Sequence, residues 1–182
     1  VGKELIRQSA DTVKKVSMEL GGNAPFIVFD DADLDKAVQG AMVSKFRNAG
    51  QTCVCANRIY VQSGVYDAFV EKLKAETQKV KVGNGLEDGV EQGPMIDMDA
   101  VEKVEEFIAD AKSKGGEIAL GGERHGNGHS FFEPTIVTQA SQDMMFAKEE
   151  IFGPLAPVFK FETEEEVIGW ANDTDFGLCS YA

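Results

Sequence analysis

In "DDADLDKAVQGAMVSKF", residues 30–46, Leu34, Val38, Met42 and Phe46 recur every four residues, and "NRIYVQ" soon afterwards is a short run rich in β-branched and aromatic side chains. The first period places four apolar side chains on one helix face; the second suits a buried strand. The alternation repeats. "VYDAFVEKLKAETQKV" is helical through Val65, Phe69 and Leu73, and a helix from about Asp99 to Ser113 aligns Val101, Val104, Phe107, Ile108 and Ala111. "TEEEVIGWAND" opens on a capping box, Thr163 with Glu166. "EIALGG", "FFEPTIV" and "LAPVFKF" are strand candidates, and "VSMEL" and "APFIVF" read as short buried strands on either side of the turn pair Gly21-Gly22. At the start, Val1, Leu5, Ser9, Val13 and Val16 fall at near-helical spacing. Helical stripes alternating with short apolar strands are satisfied by layers of helix on sheet, so the chain is predicted to be α/β. No internal repeat or low-complexity tract interrupts the pattern.

At 182 residues and 43% hydrophobic content, one main domain with a sizeable core is expected, hiding roughly 70% of the unfolded surface. Thirty-one acidic against 18 basic residues give a formal net charge of −13. That field repels phosphate, so neither a nucleic acid nor an anionic membrane is expected as a partner. No apolar run approaches the roughly 20 residues of a membrane span. Three cysteines argue against a disulfide framework and for a reducing compartment, with a cytoplasmic location expected. A start at Val1 and a stop inside "GLCSYA" read as the ends of an excised piece.

Two of the three cysteines, Cys53 and Cys55, stand one residue apart after a glycine turn. Cysteine is most often a small buried hydrophobe. A thiol on a tight turn after a helix, however, can be held against backbone N–H groups that favour a thiolate and an oxyanion, which suits a nucleophile. Cys53, Cys55, His125 and His129 can be assembled into a metal set, but C-x-C is tighter than usual zinc spacing. A cysteine hydrolase would need His125 or His129 as its base, and "HGNGH" reads as a flexible loop. No metal is therefore expected. Glu19 lies in a mainly apolar run before Gly21-Gly22, where burial would raise its pKa toward a general base's range; the alternative is a solvated surface charge. Gly83, Gly85 and Gly89 belong to a connecting loop rather than a phosphate cradle, since the preceding segment is helical. Asp30-Asp31 and Glu149-Glu150 suit helix starts and solvated faces as well as a divalent cation.

Three segments together resemble the aldehyde dehydrogenase superfamily: "MELGGNAP" at 18–25, "FRNAGQTC" at 46–53 and "EEIFGPLAPV" at 149–158, with "GPMID" at 93–97 and "NDTDFGL" at 172–178 in the expected order. Within it, "FRNAGQTCVCANRIYV" is most similar to succinate-semialdehyde dehydrogenases. The resemblance implies a three-layer catalytic domain with an open, mostly parallel sheet, without the N-terminal cofactor-binding domain. Residues 1–19 would be the end of that dinucleotide-binding domain, and 20–182 the catalytic domain, stopping before the strand through which subunits associate as homo-oligomers.

The resemblance also implies the chemistry. Cys53 matches the nucleophile that attacks the aldehyde carbon, with NAD or NADP as hydride acceptor, and Glu19 matches the base that activates water against the thioester. Glu150 and Phe152 match positions that hold the nicotinamide ribose and ring, and Leu20 lies beside the same cofactor site. Arg47 matches the arginine that pairs with the far carboxylate of a semialdehyde, a role a guanidinium fork suits. Cys55 does not match the nucleophile; it is either packing or a redox partner closing a Cys53–Cys55 bond. The implied activity is oxidation of a small aldehyde, succinate semialdehyde, to its acid, with the isolated piece inactive as a dehydrogenase. The competing class is a non-catalytic α/β binding or assembly module.

Overall fold

A computed structural model describes residues 1–182. Its centre is a five-stranded sheet in the order β1-β2-β5-β4-β3, comprising β1 (Ala24–Val28), β2 (Ala56–Gln62), β3 (Glu117–Leu120), β4 (Thr135–Ala140) and β5 (Leu155–Phe161). All neighbours run parallel except β3, which is antiparallel to β4 at one edge. The expected open, mostly parallel sheet is present.

Helices cover both faces, which makes three layers. On one face α2 (Leu34–Phe46) and α3 (Tyr66–Thr77) pack Val38, Ala41, Phe69 and Leu73 against Ile59, Val61, Ala156 and Val158. On the other, α4 (Met98–Ser113) and α5 (Glu164–Asn172) pack Val104, Phe107 and Val167 against Tyr60, Leu155, Phe159 and Phe161. Adjacent β2 residues thus serve opposite layers, as the two-residue strand period requires. Each of these large buried side chains contributes about 1.5–3 kcal/mol relative to exposure. No helix is long and apolar enough to cross a membrane.

Side-chain caps start three helices. Asp33 accepts from the Lys36 N–H (3.3 Å), Asp97 from Ala100 (2.9 Å) and Thr163 from Glu166 (3.3 Å). Glu166 answers Thr163 as a capping box predicts, but its carboxylate takes the Glu162 N–H (2.8 Å), one residue before the usual partner.

Three expectations are corrected. The first helix, α1 (Gly2–Ala10), stops well short of Val16 and buries no residue, because nothing packs on its apolar stripe. "VSMEL" is not a strand: residues 14–23 have no regular structure, since no neighbouring strand takes their backbone hydrogen bonds. In "FFEPTIV" the strand starts only at Thr135; Phe132 makes an isolated bridge to Arg124.

Candidate active site

The loop bearing Cys53 begins where α2 ends. Asn48, Ala49 and Gly50 take φ values of 55°, 56° and 72°, three consecutive left-handed residues. That conformation costs about 1–2 kcal/mol for a residue with a Cβ, so the surroundings must hold it. Asn48 Nδ2 donates to the Gln51 carbonyl (3.0 Å), and Gln51 Nε2 donates back to the Asn48 carbonyl (3.2 Å). Gln51 Oε1 accepts the Ile96 N–H (2.8 Å), which ties the loop to "GPMID". Gly50 is required twice over: its φ is positive, and a Cβ there would lie 2.1 Å from the Gly153 carbonyl oxygen. The chain then turns, with the Cys55 N–H bonded to the Thr52 carbonyl (3.1 Å) and Cys53, half-buried, inside the turn.

Against this turn lies Gly21-Gly22. A Cβ on Gly22 would stand 1.9 Å from the Cys53 carbonyl oxygen, so the two segments meet backbone to backbone. The Gly22 N–H donates to Glu150 Oε1 (2.8 Å), and a Cβ on Gly21 would sit 2.7 Å from Glu150 Oε2. Phe152 follows in a left-handed conformation (φ 54°) and is 40% exposed.

The result is one cavity of about 580 Å³ whose walls include Glu19, Leu20, Cys53, Glu150 and Phe152. Five residues scattered from 19 to 152 in the chain are gathered there. Arg47 is not among them. It lines a separate cavity of about 280 Å³ with Val54 and Tyr181, and Thr52 borders both. Tyr181 donates to the Val54 carbonyl (2.7 Å); burial, with Cys179 beside it, pushes its phenol up to about 12. A larger cavity of about 740 Å³ runs between β1 and residues 168–180, but Cys179 is its sole titratable lining residue.

Of the two readings of Glu19, the structure has the exposed one: with "VSMEL" outside the sheet, the residue lies at the cavity wall open to solvent. Cys55 is buried, its Sγ 3.4 Å from Lys45 Nζ. His125 faces Glu133 at 3.8 Å, and no group of three or more His, Cys, Asp or Glu side chains is gathered as a metal site.

Sequence reasoning missed the scaffold behind the cavity. Asn57, buried on β2, donates through Nδ2 to Asn23 Oδ1 (2.6 Å) and to the carbonyls of Phe146 (3.2 Å) and Glu149 (3.0 Å), while its Oδ1 accepts the Ile151 N–H (2.9 Å). Fully buried Arg58 donates to the Asn23 carbonyl (2.8 Å) and to Trp170 (2.8 Å) and Ala171 (2.9 Å) carbonyls at the end of α5. This network clamps the Glu150 segment to the residue after Gly22. "ANR", polar residues opening a strand that is otherwise apolar, was the available signal.

Comparisons with known proteins point to one family. The chain is 66% identical over 181 residues to 3-sulfolactaldehyde dehydrogenase of Pseudomonas putida, and 60% identical to the NADP(+) succinate-semialdehyde dehydrogenase GabD of Escherichia coli (strain K12). Each comparison covers 100% of this chain, but only 37% and 38% of the relatives' lengths. The crystal structure of succinate-semialdehyde dehydrogenase from Burkholderia pseudomallei superimposes with a TM-score of 0.97 at 60% identity, over 100% of this chain and 38% of that one. The model of the Aldehyde dehydrogenase family matches residues 1–182, and the chain belongs to that family.

Proposed function

We propose that this chain carries the nucleophile, the water-activating base and the nicotinamide-side contacts of an NAD(P)-dependent dehydrogenase that oxidises a short aldehyde with an anionic far end, succinate semialdehyde above all. One observation carries the reading: Cys53, Glu19, Glu150 and Phe152 line a single cavity although the chain separates them widely. The relatives' named substrates include 3-sulfolactaldehyde and succinate semialdehyde, each an aldehyde with an anionic group at its other end.

Cys53 Sγ, as thiolate, attacks the aldehyde carbon; the C–S bond forms and the carbonyl electron pair moves to oxygen. Glu150 and Phe152 would hold the nicotinamide end of NAD(P)+, which would supply the hydride acceptor. Cys53 then holds the acyl group as a thioester. Glu19 removes a proton from a water molecule as it attacks that carbon, and Cys53 leaves as thiolate. General-base help of this kind is worth typically about 10²- to 10⁴-fold. The exposed position of Glu19 at the cavity wall supports the role, since the base must meet solvent water.

Glu150 fits a ribose diol. One carboxylate oxygen is oriented by the Gly22 N–H, which leaves the second free to accept a hydroxyl, and glycine at 21 keeps the space beside it clear. The exposed Phe152 ring offers a flat apolar face beside it. Arg47 reaches the substrate's anion from the adjoining cavity, across Thr52, which both cavities share. In the longer relatives' framework, residues 1–19 belong with the dinucleotide-binding unit and 20–182 with the catalytic unit; the lack of any buried residue in α1 supports that division.

The test is alkylation of the purified chain by iodoacetamide near neutral pH. Cys53 should react faster than Cys179, and succinate semialdehyde should protect it better than butanal does. Arg47→Ala should remove that preference, about fivefold for an interaction near 1 kcal/mol. Equal rates at Cys53 and Cys179, with no protection by either aldehyde, would leave the assembly-module reading in its place.

A further inference from the structure

Beneath the thiol turn lies a pair of reactive groups for which the dehydrogenase chemistry has no use. Lys45, on the last turn of α2, is 0% exposed and belongs to no salt bridge. Its Nζ has one hydrogen-bond partner within the chain, Cys55 Sγ at 3.4 Å, although an ammonium carries three donors. Cys55 is 6% exposed, and its sulfur is otherwise surrounded by the carbonyls of Lys45 (3.5 Å) and Ala56 (3.6 Å). An amine and a thiol are therefore enclosed together with no carboxylate to compensate the charge, an arrangement that simple packing would not favour.

We propose that Lys45 and Cys55 form a covalent modification site in which a hydroperoxide joins Cys55 Sγ to Lys45 Nζ through a sulfenamide bond. The Cys55 thiolate takes the terminal oxygen of the peroxide; the O–O bond breaks, sulfur is oxidised by two electrons, and the departing alkoxide or hydroxide takes a proton from the Lys45 ammonium. The Nζ lone pair then attacks the sulfenic sulfur; the N–S bond forms, the S–O bond breaks, and the hydroxide leaves as water with a nitrogen proton. In sum, thiol, amine and hydroperoxide give sulfenamide, alcohol and water. The oxidant reaches the pair from the Arg47 cavity, which is lined by Ser44 and Val54, the chain neighbours of the two residues. Cys53 has no hydrogen-bonded amine beside it, so the reaction is specific to Cys55. The bridge closes residues 45–55 into a ring at the base of the loop that bears Cys53. It goes beyond the dehydrogenase reading and does not depend on it.

The experiment treats the 182-residue chain with hydrogen peroxide, alkylates the remaining thiols, and maps tryptic peptides by mass spectrometry. Expected is a product joining Lys45 to Cys55 at the summed mass less two hydrogens, with cleavage after Lys45 lost in that fraction and restored by dithiothreitol. The Cys53→Ser chain should give the same product, and Lys45→Met should not. Should Lys45→Met fail to fold, the wild-type and Cys53→Ser maps decide alone. Recovery of Cys55 solely as alkylated thiol, or solely in a disulfide with Cys53, once Cys53 has been oxidised, overturns the proposal.

Discussion

Gly22→Ala probes the convergence on which the cavity depends. The new Cβ would lie 1.9 Å from the Cys53 carbonyl oxygen, and the obstacle is backbone rather than the end of a flexible side chain. Carbon–oxygen contacts settle at about 3.3 Å or more, so the two turns must separate by about 1.4 Å. The thiol turn is anchored by Gln51 to Ile96 and by the close fit of Gly50 on Gly153, whereas residues 14–22 have no regular structure. The Gly-Gly turn therefore yields first and loses the Gly22–Glu150 hydrogen bond. That loss alone is worth about 1.5 kcal/mol with a charged acceptor. Incomplete relaxation adds an overpacking cost of about 1–3 kcal/mol. With a urea m-value of about 2 kcal/mol/M, a total of about 2.5–4.5 kcal/mol lowers the denaturation midpoint by about 1.3–2.3 M. Urea unfolding followed by Trp170 fluorescence measures the shift. Gly85→Ala, whose Cβ meets nothing within 4 Å, is the control and should match wild type. A Gly22→Ala midpoint within about 0.3 M of wild type, together with an unchanged Cys53 alkylation rate, would refute the reasoning.

Asn57→Ala strips partners from Asn23 Oδ1, the Ile151 N–H and the Phe146 and Glu149 carbonyls, and should destabilise the chain by about 2–4 kcal/mol in the same urea assay. Burial pushes the Asp110 carboxyl up, but Lys114 and the Met145 N–H outweigh it and hold it below its ordinary value. A depressed folded-state pKa contributes stability above the unfolded value that is lost as pH falls; Asp110→Asn should therefore be less stable than wild type at pH 7, and the gap should close below about pH 4. Tyr181, raised to about 12, should ionise well after Tyr in the unfolded chain when absorbance is followed in alkali. Its contribution is intact below about pH 10 and fades as pH rises through the folded value. The 182 residues alone should produce no NADPH from succinate semialdehyde, because a hydride acceptor needs the rest of a dinucleotide site; measurable production would overturn that expectation.

Periodicity and motif were enough to place α2, α3, α4 and α5, most of the sheet, and the stretches bearing Cys53, Glu19 and Glu150, because helix stripes, caps and strand runs are local patterns that a single chain displays. "VSMEL" looked like a strand by the same local rule, and only the absence of a pairing neighbour made it an irregular segment with an exposed Glu19. Likewise no spacing shows that Gly22 presses on the Cys53 carbonyl, that Asn57 clamps the Glu150 segment, or that Arg47 opens into a different cavity from Cys53. Those facts depend on which segments lie against one another. Local sequence sets what each segment prefers, while long-range packing decides which carbonyl, carboxylate or ammonium it meets.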